Sequence, residues 1–408
     1  MDGRVVALIV LSAACSADRR GWDGEARDSS GVRVVENRGR GLWPESAAWR
    51  VADGLSIGSP EGEEAYLFGR IADVAVDSRE RIHVLDATTR DVRVFDDGGA
   101  FLYRLGGPGK GPGELSPWAN AILVGGGDTV YVPDYGETRI NVYGPEGGYV
   151  REIRLEPRPG GRSWERLDAT RFLFRGLTIG RDEAGRFTTS DGLFVTTGAF
   201  APLDTILSFD YPASPLGVPG QPVVPLIVNS ALWCRLTDGR IAWTSLDRDE
   251  VRITDPAGRL MSVVRSGDWT RSPLTEGDRL AMKELLRRKL SRLGGDAASV
   301  DRLQLVYDET LPAITDLRAG PEGTLWVQRM GAVARIDPMA INASDATGWL
   351  GDSVWTVLDS AGRRLGDIAM PGRVRITRIT NDAVLGVRKD ENDVERVVRL
   401  DLSRRLPE

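Results

Sequence analysis

A repeat constrains this chain more than any other feature. Residues 71–77, 81–86, 92–96 and 101–105 read as four short alternating strands, separated by polar turns and by Gly98-Gly99. The pattern returns 48 residues on, with Asp134 in the place of Asp86 and Tyr143 in the place of Phe95. Looser copies cover residues 174–210, 232–264, 314–369 and 374–402. A lone four-stranded sheet cannot bury both faces, whereas copies stacked around an axis cover one another and leave only short edges. Repeated four-stranded units of this length predict an all-β, six-bladed β-propeller over residues 32–402. The last copy is too short for four strands. Residues 49–58 are therefore expected to lend it one and close the ring.

One stretch breaks the strand rhythm. In residues 273–293, Met282, Leu286, Leu290 and Leu293 recur at spacings that share a helix face. Thr275 can cap the start with Asp278 three residues on, and Gly294-Gly295 can stop it. The expectation is a helical insertion packed on the propeller rim. The competing reading is a lid or docking element for an anionic partner, built on Arg287, Arg288, Lys289 and Arg292.

The stretch 105–115, Leu-Gly-Gly-Pro-Gly-Lys-Gly-Pro-Gly-Glu-Leu, resembles the Gly-rich G-x-G-P-G-E-F loop of a bacterial six-bladed propeller family related to NHL-repeat proteins. Here Leu115 stands in place of the usual Phe. The likeness runs from about residue 32 to 402. It implies the propeller and an exported or lipid-anchored setting, and it implies no activity.

The N-terminus agrees with that setting. Arg4 precedes an apolar run at 5–11, and Ser12, Ala13 and Ala14 lead into Cys15. This resembles a bacterial lipoprotein signal over residues 1–15, with Cys15 as the lipidated residue and 16–31 as a tether. The run is too short to span a bilayer, so membrane attachment is expected only through a lipid anchor in the cell envelope.

Composition limits the chemistry. The 53 Lys and Arg against 59 Asp and Glu give a net charge of −6, with no electrostatic reason to expect nucleic acid. A single histidine, His83, excludes a multi-histidine metal site. Two cysteines exclude a four-cysteine zinc site, and Cys234 reads as a buried inert thiol. Repeated Asp residues at strand ends (Asp86, Asp134, Asp210, Asp255, Asp359) read as turn acceptors; a Ca²⁺-binding ring is the rival. Residues 106–114 could form a backbone nest for an anion, which marks Lys110 and Glu114 as the ligand-binding candidates. Asp390, Glu391 and Asp393 read as a solvated hairpin tip.

No catalytic residue is assigned and no cofactor is expected, Ca²⁺ being the one candidate ion. The expected function is non-catalytic: an exported binding or scaffold protein that recognises a peptide, protein or glycan on a propeller face. The alternatives are a Ca²⁺-dependent hydrolase or lactonase acting at the central channel, and a structural cell-envelope protein.

Overall fold

The computed structural model describes residues 22–44, 48–155, 162–168, 170–181, 187–196, 204–209, 223–341 and 347–404. Cys15 and the signal-like segment lie outside them. Strands β1 (Gly24–Ser29), β2 (Val32–Asn37) and β3 (Trp49–Ile57) precede the first blade. Blade one is β4 (Ile71–Val76), β5 (Ile82–Asp86), β6 (Asp91–Phe95) and β7 (Phe101–Gly106). Blade two is β8 (Leu123–Val124), β9 (Val130–Asp134), β10 (Arg139–Tyr143) and β11 (Tyr149–Arg154). Blade three is β12 (Arg162–Arg166), β13 (Phe172–Arg181), β14 (Phe187–Thr196) and β15 (Asp204–Phe209). The short β16 (Val223–Pro225) leads to blade four: β17 (Ala231–Arg235), β18 (Ile241–Ser245), β19 (Glu250–Thr254) and β20 (Leu260–Ser266). Helix α1 (Glu276–Arg292) follows, then β21 (Gln304–Val306), which pairs in parallel with β16. Blade five is β22 (Ile314–Ala319), β23 (Leu325–Met330), β24 (Gly351–Leu358) and β25 (Arg364–Ala369). Blade six is β26 (Val374–Ile379), β27 (Ala383–Lys389) and β28 (Glu395–Arg404), completed by β3.

The expected six-bladed propeller is present, and so is its closure. β3 runs antiparallel to β28, from Val397 opposite Ile57 to Arg404 opposite Trp49. Pairing the two ends of the chain satisfies backbone groups that would otherwise form a frayed edge. The blades face one another through dry seams. Trp49, Trp326, Trp355, Val384 and Leu400, for example, pack between blades five and six. Middle strands are wholly buried, as in Ile82–Asp86 and Asp91–Phe95, whereas the outer β7 and β11 are mostly exposed.

The N-terminal segment departs from the expected tether. Residues 24–29 form β1, hairpinned to β2, and β2 pairs in parallel with β20 on the outside of blade four. The chain then donates from Leu42 and Trp43 to the carbonyls of Arg364 and Leu365 on the outer strand of blade five. It continues into β3 on blade six. The segment is thus a belt across three blade edges. The reason is the edge itself: unpaired ladder groups on β20 and β25 accept any extended chain that reaches them. Asn37, 2% exposed, is the buckle. Its amide donates to the carbonyls of Arg265 and Gly362, both at 3.1 Å. Its side-chain oxygen accepts from the backbone N–H of Arg364 at 2.7 Å and from the Trp22 indole at 2.8 Å.

Helix α1 lies where the apolar spacing places it. Thr275 and Asp278 form the expected reciprocal capping box. The helix buries Met282, Leu285 and Leu286. Leu293 instead ends the helix, 62% exposed. The helix is fastened to the rim: Lys289 donates to the Ile341 carbonyl at 2.6 Å, and Arg292 pairs with Asp393 on the blade-six hairpin. Arg287 is bound by Asp301 and Glu284. These pairings support the rim-insertion reading and leave little of the basic cluster for an anionic partner. Among the described residues no helix is long and apolar enough to cross a membrane.

Candidate functional site: the central channel

Each blade contributes its first strand to the centre. β4 neighbours β8 and β26, β8 neighbours β12, and β22 neighbours β17 and β26. Four of these inner strands carry the same irregularity, β12 among them between Arg162 and Trp164. The register skips one residue between Ile71 and Asp73, between Ile314 and Asp316, and between Ile376 and Arg378. A bulge re-aims the side chain that follows it. In blades one, five and six that side chain is charged.

Other charges join these on the channel wall. Glu165 on β12 lies 3.9 Å from Arg235 on β17, spanning the two inner strands. Arg318 reaches back to Asp316 at 2.8 Å. Arg375 donates to the carbonyls of Ile71 and Ala72 at 2.7 and 3.3 Å, and lies over the Trp349 ring. Asp73 accepts from the Val74 N–H and from the Ile122 N–H of the next blade, both at 2.9 Å. Asp316 accepts from the Leu317 N–H at 2.8 Å. The channel therefore gathers Asp73, Glu165 and Asp316 with Arg235, Arg318, Arg375 and Arg378.

The surrounding protein shifts their protonation. Burial pushes the Glu165 carboxyl up to about 7, against the opposing pull of Arg235 and Arg378. Burial also raises Asp73, offset in part by the Ile122 N–H and by Arg378, and raises Asp316 against Arg318. Burial draws the Arg375 guanidinium below its ordinary value, opposed by Glu395 and Asp73. Cys234 also faces this cluster. Burial pushes its thiol up, as do Glu165 and Asp316, while Arg318 opposes them. That agrees with an inert thiol, since the thiolate is the reactive form.

The channel does not fit Ca²⁺. Among the described residues no three His, Cys, Asp or Glu side chains gather around a point. Asp73 is already engaged by two backbone N–H groups, Asp316 by a backbone N–H and Arg318, and Glu165 by Arg235. A dication needs several free oxygens, and it would sit among guanidinium groups.

The residues singled out from sequence lie elsewhere. Lys110 is 83% exposed and stands 3.7 Å from Glu137. Glu114 folds into its own loop, accepting from the Gly111 N–H at 2.7 Å. The Gly-rich nest is thus filled by its own carboxylate, and Lys110 and Glu114 do not converge on a shared site. The strand-end Asp residues are turn acceptors of two kinds. Asp86 binds the N–H groups of Gly69, Arg70 and Thr88, and Asp134 binds that of Ser116. Asp255 and Asp359 each bind two N–H groups in the turn that follows. Asp210 lies outside the described residues. His83 is fully buried against Asp77 at 3.0 Å. Asp390 accepts from Asn392 and Val394, as a hairpin tip does.

Sequence reading passed over the channel charges. A signal existed: the pattern apolar-x-Asp-apolar opens both β4 (Ile71-Ala72-Asp73-Val74) and β22 (Ile314-Thr315-Asp316-Leu317). A charge in the middle of an innermost strand has no solvent side to face except the channel.

Comparison with known proteins supports the architecture. A family profile described as a 6-bladed beta-propeller (DUF5128) matches residues 61–188. No curated protein matches the sequence. A solved Bacteroides vulgatus member of the duf4221 family shares 9% identity at a TM-score of 0.52, covering 88% of this chain and 100% of that one. A Bacteroides fragilis protein described as exported shares 11% identity at 0.51, covering 91% and 99%. Virginiamycin B lyase from Staphylococcus aureus shares 8% identity at 0.45, covering 87% and 100%. Likeness of this degree speaks to the fold alone. None of it ties the chain to NHL-repeat proteins in particular. The non-catalytic binding or scaffold expectation is corrected here. Two of the similar structures are named as lyases and one as a gluconolactonase, at TM-scores of 0.45, 0.43 and 0.42. The chemical ground for the correction is the channel, whose inner strands bring paired arginines and a carboxyl titrating near neutrality to one place. The chain is, in architecture, a six-bladed β-propeller.

Proposed function

We propose that the protein is a hydrolase that opens a small anionic ester or lactone in its central channel. One observation carries the reading: seven ionisable side chains from five inner strands converge there, four of them arginines. Guanidinium groups in a sheltered channel favour a carboxylate-bearing substrate and stabilise the oxyanion that forms as water adds to the carbonyl. A carboxyl titrating near 7 suits general base work at neutral pH. In the proposed step Glu165 takes a proton from water as its oxygen bonds to the carbonyl carbon. The acyl C–O bond then breaks, and the proton passes to the leaving alkoxide. No metal is required in this step.

The test is a pH-stat survey of carboxylate-bearing lactones and esters beside their neutral counterparts. Turnover should favour the anionic set. Glu165→Gln should lower kcat by on the order of 10² or more, and Arg318→Gln should raise KM. Absence of turnover across the anionic set, or a Glu165→Gln variant at full rate, defeats the proposal. The same proposal places the enzyme outside the cytoplasm, on the strength of residues 4–15. Cys15→Ser should then move it from the membrane to the soluble fraction.

A further inference from the structure

Where blade two's inner strand begins, Trp118 and Tyr135 expose two aromatic rings that the hydrolase reading does not use. The chain enters the channel wall at Trp118. Ala119 bridges to Asp134, and Ile122, four residues on, donates its N–H to Asp73. Four extended residues span about 13 Å and the Ile122–Asp73 bond adds 2.9 Å, so Trp118 stands within about 16 Å of the channel carboxylate. Its side chain is 61% exposed, and Tyr135 in the neighbouring turn is 40% exposed.

Trp118 is nonetheless held in place. Its backbone N–H donates to the Ser116 hydroxyl at 3.1 Å, and that hydroxyl is bonded to the buried Asp134 carboxylate. The Cδ1 edge of the indole borders Gly136, where an added Cβ would stand 2.7 Å from it. Glycine here permits the close approach. A large aromatic ring fixed on one side and bare on the other is a platform for a flat apolar surface.

We propose that Trp118 and Tyr135 determine specificity at the channel mouth, selecting a substrate whose anionic group is joined to a planar apolar ring. The ring lies on Trp118 while the carboxylate enters the arginine-lined channel. This rests on the channel being the substrate site, and the experiment separates the two. Binding of 2-naphthoate and of acetate is measured calorimetrically on the full chain, for wild type, Trp118→Ala, Trp118→Phe and Arg375→Gln. The expected result is naphthoate binding at least tenfold weaker in Trp118→Ala and largely restored in Trp118→Phe. Acetate affinity should change less than twofold in both, and Arg375→Gln should weaken both ligands. If wild type binds both carboxylates but Trp118→Ala binds naphthoate unchanged, the platform is refuted and the channel reading stands. If neither carboxylate binds wild type, or Arg375→Gln has no effect, the channel reading fails and takes the platform with it. If naphthoate binding needs Trp118 but ignores Arg375, the aromatic pair is a surface site unrelated to the channel, and the proposal is overturned.

Discussion

Replacing Asn37 by Ala should loosen the belt from blades four and five together. Its side chain makes four hydrogen bonds, and three go to backbone groups: the Arg265 and Gly362 carbonyls and the Arg364 N–H. At roughly 1 kcal/mol net for each interior bond, the loss is about 3 kcal/mol. Asn37→Asp sharpens the test. A carboxylate can still accept from Arg364 and Trp22, but it cannot donate to two carbonyls that it would then face. It should cost about 2 kcal/mol or more by the same reckoning. Arg38→Ala serves as the control, because its pair with Glu25 is solvent-exposed and should be worth less than about 0.5 kcal/mol. The assay is the urea midpoint by tryptophan fluorescence at constant m. Limited proteolysis between residues 38 and 48 gives a local readout. An Asn37→Ala cost below about 0.5 kcal/mol, or an Asp variant as stable as wild type, refutes the account of Asn37 as a buckle.

Three further outcomes are expected. Thr275→Ala removes half of the capping box of α1 and should cost about 1 kcal/mol in denaturant unfolding. Glu165, raised from 4.5 to about 7 in the fold, holds a proton there that the unfolded chain releases. Its contribution is fully present below the unfolded value and is lost as pH rises through about 7. The stability of Glu165→Gln relative to wild type should therefore increase across that window, and a constant difference would contradict the raised value. Cys234, with its thiol held up by burial, should react with iodoacetamide at pH 8 about 100-fold more slowly in the native state than in urea. A Cys15→Ser background keeps the reading to one thiol.

The propeller was legible because each blade repeats a local rule. Alternating apolar strands and Gly turns recur from 71–105 to 374–402, and the missing strand of the last copy pointed to Trp49–Ile57. The helix was legible through Thr275, Asp278 and a run of spaced apolar residues. The belt was not. β1 is Gly-Glu-Ala-Arg-Asp-Ser, almost wholly exposed, and a polar hairpin riding on an edge has the composition of a linker. The channel escaped for a different reason. The seven channel charges are spread one or two to a strand over five strands far apart in sequence, and only ring closure makes them neighbours. Asp86 and Asp134 are the conspicuous repeat in the sequence, yet their carboxylates do turn chemistry.

The belt also bears on how the molecule is made. Residues 22–43 leave the ribosome early, yet their partners at Ser262–Ser266 and Arg364–Leu365 are synthesised hundreds of residues later. Until then the segment has no edge to join, and β3 waits for the other three strands of the last blade. Assembly of the finished ring therefore waits on the whole nascent chain, a high-contact-order step that is intrinsically slow. A polypeptide held open in this way suits handling by a holding chaperone before its final collapse, and truncation anywhere short of β28 should leave β3 without a berth.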